Sequence, residues 1–339
     1  MATAAAETQH LLERVESPET VQWVIALHGG AGGAQRQSLP EQTEQGVRRD
    51  LRLALQKGAA VLADGGRGPD AIVAALSVLE DSPRFNAGRG AALDEHGAAR
   101  HDASIMRGED RGSGAIAGSS RIKNPIVGAQ AVMNQTANVL LNGAGADWFA
   151  QQSGLALVDP RYFVTDDRLK ALSRVQQRAQ TTQSNDILPD DLYGTVGAVV
   201  LDSHGNLAAG TSTGGRTNKR FGRIGDSPIV GAGTYASNES CAVSATGHGE
   251  YFIRWTVARD ICARVEFARS TLDRAVATVL FEQLLAAGGT GGVVSILPGG
   301  LVVFGASTAN MRRGVMTSGA PARVAVYSDE LVTVLSDTN

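Results

Sequence analysis

The chain has 339 residues, with 43% hydrophobic and 19% charged, and 31 Lys+Arg against 34 Asp+Glu for a net charge of −3. This composition supplies a sizeable core and excludes a wholly disordered chain, while the balanced charge, without blocks of one sign, argues against a nucleic-acid partner. Two cysteines make neither a disulfide framework nor a cysteine-rich zinc site, and no run of 18 apolar residues exists to span a membrane. The first residues, MATAAAETQH, do not read as a secretory signal, so a cytoplasmic location is expected.

In chain order, residues 1–20 are polar and are expected to be frayed. Val21–Leu27 is a continuous apolar run, read as a buried strand that enters the glycine turn His28-Gly29-Gly30-Ala31-Gly32-Gly33. Val47, Leu51, Ala54, Leu55 and Leu62 predict a helix over 43–63. A second helix follows Gly68-Pro69, with Ile72, Leu76 and Leu79 as its apolar stripe. Residues 84–108 carry glycine turns and short polar strands, and 124–150 reads as helical. The polar, aperiodic segment 178–193 is expected to be a mobile linker. Two strands, about 194–202 and 207–213, flank the turn His204-Gly205-Asn206 as a hairpin. Helices are expected over 249–268 and 270–287, the second with an approximate capping box from Ser270 to Asp273. A second hairpin joins 293–297 to 301–304, and 323–327 is a last strand. Without strict βαβ alternation, antiparallel sheets covered by helices fit better than a doubly wound parallel sheet.

The 41 glycines, well above the roughly 7% of average usage, cluster where chemistry is to be sought. The loop at 28–33 does not match G-x-G-x-x-G and reads as a tight turn beneath a site rather than a dinucleotide cradle. Cys241 and Cys262 read as buried small hydrophobes, and His96 and His101 as solvated residues around a turn. The six histidines show no metal-ligand spacing, and no G-x-S-x-G pentapeptide is present.

The densest polar constellation lies in 194–250. Any one threonine there is most simply a strand former, and any one charge a solvated residue. Together they allow more. A threonine hydroxyl is a poor nucleophile without a base, but cleavage of the preceding peptide bond makes its own α-amine that base. Such an amine has an ordinary pKa of about 7.7–8.0, suited to proton transfer near neutrality. Gly194 leaves room for Thr195 to attack the preceding carbonyl. Thr246-Gly247 offers donors for an oxyanion, and Arg223 with Asp226 could hold a zwitterionic amino acid.

At these residues the chain resembles the plant-type L-asparaginase/isoaspartyl peptidase family of N-terminal-nucleophile hydrolases. The stretches that carry the resemblance are IALHGGAGG (25–33), FNAGRGAAL (85–93), DASIM (102–106), GTVGAVVLD (194–202), GTSTGG (210–215), TNKRFGRIGDSPIVGAGTYA (217–236) and ATGHGEYFIR (245–254). The resemblance implies an α+β fold, a four-layer αββα sandwich with two antiparallel sheets between helix layers. It implies self-cleavage at Gly194–Thr195 into residues 1–194 and 195–339, which together form one folded domain. Thr195 would be the nucleophile, oriented by Thr213 and approached by Asn86. Arg223 would bind the substrate α-carboxylate and Asp226 its α-amino group. Thr246 and Gly247 would form the oxyanion hole, and Gly249 would line the pocket. Backbone carbonyls of Leu79, Glu80, Ser82, Phe85, Ala87 and Arg89 would wrap a structural sodium or potassium ion. The implied reactions are hydrolysis of L-asparagine to aspartate and ammonia and cleavage of β-aspartyl dipeptides. The implied assembly is a dimer of cleaved αβ units.

The sequence departs from the family pattern at Arg216, where methionine is frequent, at Ala245, where cysteine is common, and at His248 and Tyr193. Two rival readings remain at this level. One is a glycosylasparaginase-type amidase of the same superfamily, and the other an uncleaved, non-catalytic binding protein of the same fold. A nicotinamide-dependent oxidoreductase is a distant third.

Overall fold

Both faces of strand β2 (Val24–Gly32) are buried, which is why its sequence is continuously apolar rather than alternating. Val24 and Ala26 point into a core between two sheets, while Ile25 and Leu27 point the other way, onto helices. The computed structural model describes residues 10–32, 36, 39–182 and 194–332. Helices α1 (Glu41–Ala63) and α2 (Gly68–Asp81) cover the outer face of that sheet with their predicted apolar stripes.

The large sheet continues through β3 (His101–Arg107), β4 (Ser113–Ser119) and, beyond helix α3 (Pro125–Gln135), β5 (Leu140–Asn142). Helices α4 (Gly143–Gln152) and α5 (Asp166–Thr182) precede the hairpin β6 (Val196–Leu201) and β7 (Leu207–Thr213). The small sheet draws on β1 (Leu11–Val15), β8 (Thr234–Ala236) and β9 (Ala242–Gly247). After helices α6 (Gly249–Arg254), α7 (Val257–Ala268) and α8 (Leu272–Ala277), it also takes β10 (Gly291–Ile296) and β11 (Val302–Ala306). Strands β12 (Asn310–Thr317) and β13 (Ala320–Ala325) close the large sheet at its other edge. The eight strands run β13-β12-β2-β6-β7-β3-β4-β5 and the five run β1-β11-β10-β9-β8. Helices α7 and α8 pack on the free face of the small sheet, completing the four-layer αββα sandwich.

The sheets are not wholly antiparallel. β4 and β5 pair in parallel because helix α3 carries the chain between them as a crossover. Residues 11–15, expected to be frayed, instead pair with β11. The strand is hard to read because its inward face carries Glu13, buried against the fully buried Arg313 at 2.9 Å. The helical reading of 124–150 breaks at β5. The reading of 249–268 breaks at Thr256, held at φ 45°, and that of 270–287 passes from α8 into a π-helical turn over Thr278–Leu284. The expected Ser270 cap is not made; Thr271 is the cap residue, and the Ser270 hydroxyl donates to its carbonyl. Residues 178–182 belong to α5, and the rest of the expected linker, with Tyr193, lies outside the described residues. Gly33 lies outside them as well.

Three side-chain expectations are also corrected. Cys241 and Cys262 are not free hydrophobes but form a buried disulfide that ties the start of β9 to α7. His101 is fully buried on β3, against the Phe163 ring at 4.2 Å. Strand β3 is interior rather than polar along all but its last residue. Among the described residues no helix is long and apolar enough to cross a membrane.

Candidate active site

The β6–β7 register places Val196 opposite Ser212, which brings the preceding Thr195 beside Thr213 at the end of β7. Their hydroxyls meet at 3.1 Å, Thr195 donating to Thr213 Oγ1. The Gly215 backbone N–H also donates to Thr213 Oγ1, at 3.0 Å, so that oxygen is itself held. Thr213 points toward this cleft, whereas Ser212 points to the helices and donates to Glu80 Oε1 at 2.6 Å.

Asn86 ties the Gly194–Thr195 junction to its surroundings. Its N–H donates to the Gly194 carbonyl at 3.2 Å, its carbonyl accepts from Gly214, its Oδ1 accepts from Ala92, and its Nδ2 donates to Gly215. Gly194 has φ 104°, a conformation that favours glycine. Gly30 approaches it so closely that a Cβ there would lie 2.1 Å from the Gly194 Cα. The glycines after His28 thus serve a close backbone approach along the end of β2, rather than the turn read from sequence.

Arg223 and Asp226 line the same cleft as Thr195, Thr213 and Asn86, together with Gly247, Arg216, His248 and Glu250. Arg223 does not pair with Asp226. It donates from Nε and Nη2 to the two oxygens of Glu250, each at 3.0 Å. Burial opposes ionisation of Glu250, but the Arg223 guanidinium overrides it and holds the carboxyl down to about 2. Asp226 is buried, its Oδ2 without a hydrogen-bond partner among the described residues, and burial raises its pKa to about 7. Gly249 sits behind this pair. A Cβ on it would lie 2.8 Å from both Arg223 Nη2 and Asp226 Oδ1. Thr246 is buried beside the cleft on β9, its Oγ1 accepting from the Ala31 N–H at 3.5 Å.

Beneath Thr195 runs a chain of buried hydroxyls that sequence reasoning missed. His28 Nε2 meets Ser244 Oγ at 3.0 Å, and Ser244 meets Thr211 at 2.7 Å. Thr234 donates to Thr211 at 2.6 Å, and Ser104 Oγ contacts both Thr234 Oγ1 and the Ser227 carbonyl. The chain therefore spans the inter-sheet space from under residue 195 to the segment bearing Asp226. Burial holds His28 neutral, with a pKa lowered to about 3 although the Thr195 backbone favours its charged form. Glu250 and Lys219 were missed as well. Lys219, buried, donates to the Arg100 and Gly214 carbonyls at 2.6 and 2.8 Å and stiffens the turn after Thr213. The one available signal was adjacency: all of these residues lie in or beside the family-like motifs.

The Leu79–Arg89 segment lies at the end of α2, where the chain coils back on itself. A Cβ on Gly88 would stand 2.2 Å from the Glu80 carbonyl oxygen, and one on Gly90 2.1 Å from that of Phe85. Gly88 has φ 54°. The carbonyls of Leu79 and Ala87 already accept from Ser82 and Gly90, at 3.3 Å each.

The model of a family described as asparaginase matches residues 21–326. The isoaspartyl peptidase of Escherichia coli (strain K12) is 40% identical over 314 residues, covering 92% of this chain and 98% of the relative. The probable isoaspartyl peptidase/L-asparaginase 2 of Arabidopsis thaliana is 39% identical, covering 90% of this chain and 99% of the relative. The human isoaspartyl peptidase/L-asparaginase is 38% identical, covering 80% and 86%. With the sandwich fold and these matches over most of its length, the chain belongs to the asparaginase family of N-terminal-nucleophile hydrolases, in its isoaspartyl peptidase/L-asparaginase branch.

Proposed function

We propose that the chain cuts itself between Gly194 and Thr195 and then hydrolyses L-asparagine and β-aspartyl dipeptides. The observation that carries this reading is the convergence at Thr195: its hydroxyl on Thr213 at 3.1 Å, and the carbonyl it would attack on the Asn86 N–H at 3.2 Å.

In the first stage Thr195 Oγ1 attacks the Gly194 carbonyl carbon. The C–N bond breaks, the hydroxyl proton passes to the departing Thr195 nitrogen, and an ester forms. Water then splits the ester into a Gly194 carboxylate and a Thr195 with free hydroxyl and free α-amine. In the second stage that amine takes the hydroxyl proton as the oxygen attacks the β-carbonyl carbon of the substrate. The proton goes to the leaving nitrogen, which departs as ammonia or as an amino acid. Water releases aspartate from the acyl-enzyme by the same route. Arg223 binds the α-carboxylate and Asp226 the α-ammonium, which both substrates share. To do so, Arg223 exchanges Glu250 for the substrate. Gly247, with Thr246 behind it, serves the oxyanion.

An alkali cation in the Leu79–Arg89 coil is part of the same reading, supported by Gly88 and Gly90, which let the Glu80 and Phe85 carbonyl oxygens come in where a side chain would exclude them. A bound sodium or potassium would supply no step of the reaction; it would neutralise carbonyl dipoles in the coil. These residues then hold the loop that presents Asn86. The same reading includes assembly as a dimer of cleaved αβ units, which light scattering tests.

Intact-mass analysis of fresh protein, repeated after days at neutral pH, tests the reading. Fragments of roughly 20 and 15 kDa, in proportion to 194 and 145 of the 339 residues, with threonine at the new N-terminus, are expected from the 35.2 kDa chain. A stable single species without amidase activity would overturn it and favour a binding protein. Release of sugar from glycosylated asparagine, without turnover of asparagine, would favour the glycosylasparaginase reading.

A further inference from the structure

Two arginines and a histidine in the cleft gather around one carboxylate. Glu250 receives both Arg223 bonds at 3.0 Å, while His248 Nε2 stands 3.5 Å and Arg216 Nη1 3.9 Å from its oxygens. Of the two arginines, Arg216 is the less compensated. Its guanidinium makes no hydrogen bond among the described residues, and its side chain is only 31% exposed. Burial outweighs the nearby Glu250 carboxylate and, with Arg223 close by, pushes its pKa below the ordinary arginine value. A desolvated cation of this kind is stabilised by an incoming anion.

Its place in the chain says which anion. Arg216 directly follows Gly215, whose N–H holds the Thr213 oxygen and whose carbonyl holds Asn86. The side chain therefore starts beside the attack point. Asparagine carries one carboxylate and one ammonium, which Arg223 and Asp226 consume. A β-aspartyl dipeptide carries a second carboxylate, at the end of the residue that leaves.

We propose that Arg216 binds the C-terminal carboxylate of the leaving amino acid and so selects β-aspartyl dipeptides with a free C-terminus over asparagine and over C-terminally blocked substrates. The inference rests on the proposed function. That carboxylate keeps its charge throughout the reaction, so Arg216 binds ground and transition states alike and acts on KM rather than kcat.

The test compares β-aspartyl-leucine, its C-terminal amide and L-asparagine, using self-cleaved protein. The wild type is expected to show a KM for the free acid about tenfold below that for the amide, the scale of a partly exposed charged contact. Arg216→Met should bring that ratio close to one, and Arg216→Lys should keep part of it. Equal KM values for acid and amide in the wild type overturn the inference alone, and that comparison needs no variant to fold or process. Persistence of the ratio in Arg216→Met overturns it too. Failure of the cleaved wild type to hydrolyse any of the three overturns the proposed function and the inference with it.

Discussion

Arg223 and Glu250 are joined by two 3.0 Å hydrogen bonds, while Asp226, three residues beyond Arg223, keeps a buried oxygen with no partner among the described residues. The group assigned to the substrate carboxylate is thus occupied by a carboxylate of the protein, and substrate must displace it. Glu250→Gln weakens this internal competitor. Steady-state kinetics should show the KM for asparagine falling by roughly three- to tenfold. A raised KM would mean that Glu250 orients Arg223 rather than competing for it.

The Asp226 shift sets a pH dependence. Burial raises its pKa from 3.8 to about 7, and only the ionised form pairs with a substrate ammonium. As pH falls through 7, kcat/KM should drop about tenfold per unit from this group alone. The freed Thr195 amine, with an ordinary value of about 7.7–8.0, must also be unprotonated, so the limiting slope is two. Bound ammonium keeps Asp226 ionised, so kcat should follow a slope of one. For stability the sign is opposite. The folded state holds a proton that the unfolded chain has lost, so Asp226 weakens the fold as pH rises from 3.8 to about 7.

Gly30 leaves no space for a side chain, since its Cβ would fall 2.1 Å from the Gly194 Cα. Gly30→Ala must therefore displace the bond to be cut from the Thr195 hydroxyl. Mass spectrometry should find this variant intact after incubation that fully processes the parent, while circular dichroism shows the fold retained. Normal processing would show that the Gly30–Gly194 approach is dispensable.

The Cys241–Cys262 bridge closes a sequence separation of 21 residues beneath β9, the strand that carries Thr246 and Gly247. Constraint of the unfolded chain by a loop of this size contributes about 3 kcal/mol. Cys241→Ala/Cys262→Ala should lower denaturant stability by about that amount, with activity retained at 25 °C. An unchanged midpoint in the double variant and in reduced wild type would show that the bridge adds no stability.

The parts legible in sequence were those where one residue type is needed for one reason. Thr195 and Thr213 stood in glycine-bounded strands, and the β6–β7 pairing followed from hairpin chemistry. β2 was legible because burial on both faces makes it uniformly apolar. β1 was not, because an inward Glu13 replaces the apolar residue that alternation requires, and its compensating partner, Arg313, lies 300 positions away. Long-range pairing likewise hid His28–Ser244, Arg223–Glu250 and the disulfide. Nothing local marks His101 as interior, since its burial depends on Phe163, which arrives from a distant turn.

The strand order has a consequence for the processed protein. In β13-β12-β2-β6-β7-β3-β4-β5, strands from before residue 194 alternate in blocks with strands from after it, and β1 pairs with β11 in the other sheet. A cut at the proposed Gly194–Thr195 bond would leave neither piece with a complete sheet, so the two should stay interlocked and co-purify without a covalent link. What folded as a first-order process can then re-form only by a second-order encounter. Recovery after denaturation should therefore rise with protein concentration for cleaved enzyme and be independent of it for an uncleaved Thr195→Ala chain, which makes maturation a one-way commitment of the molecule to its first folding event.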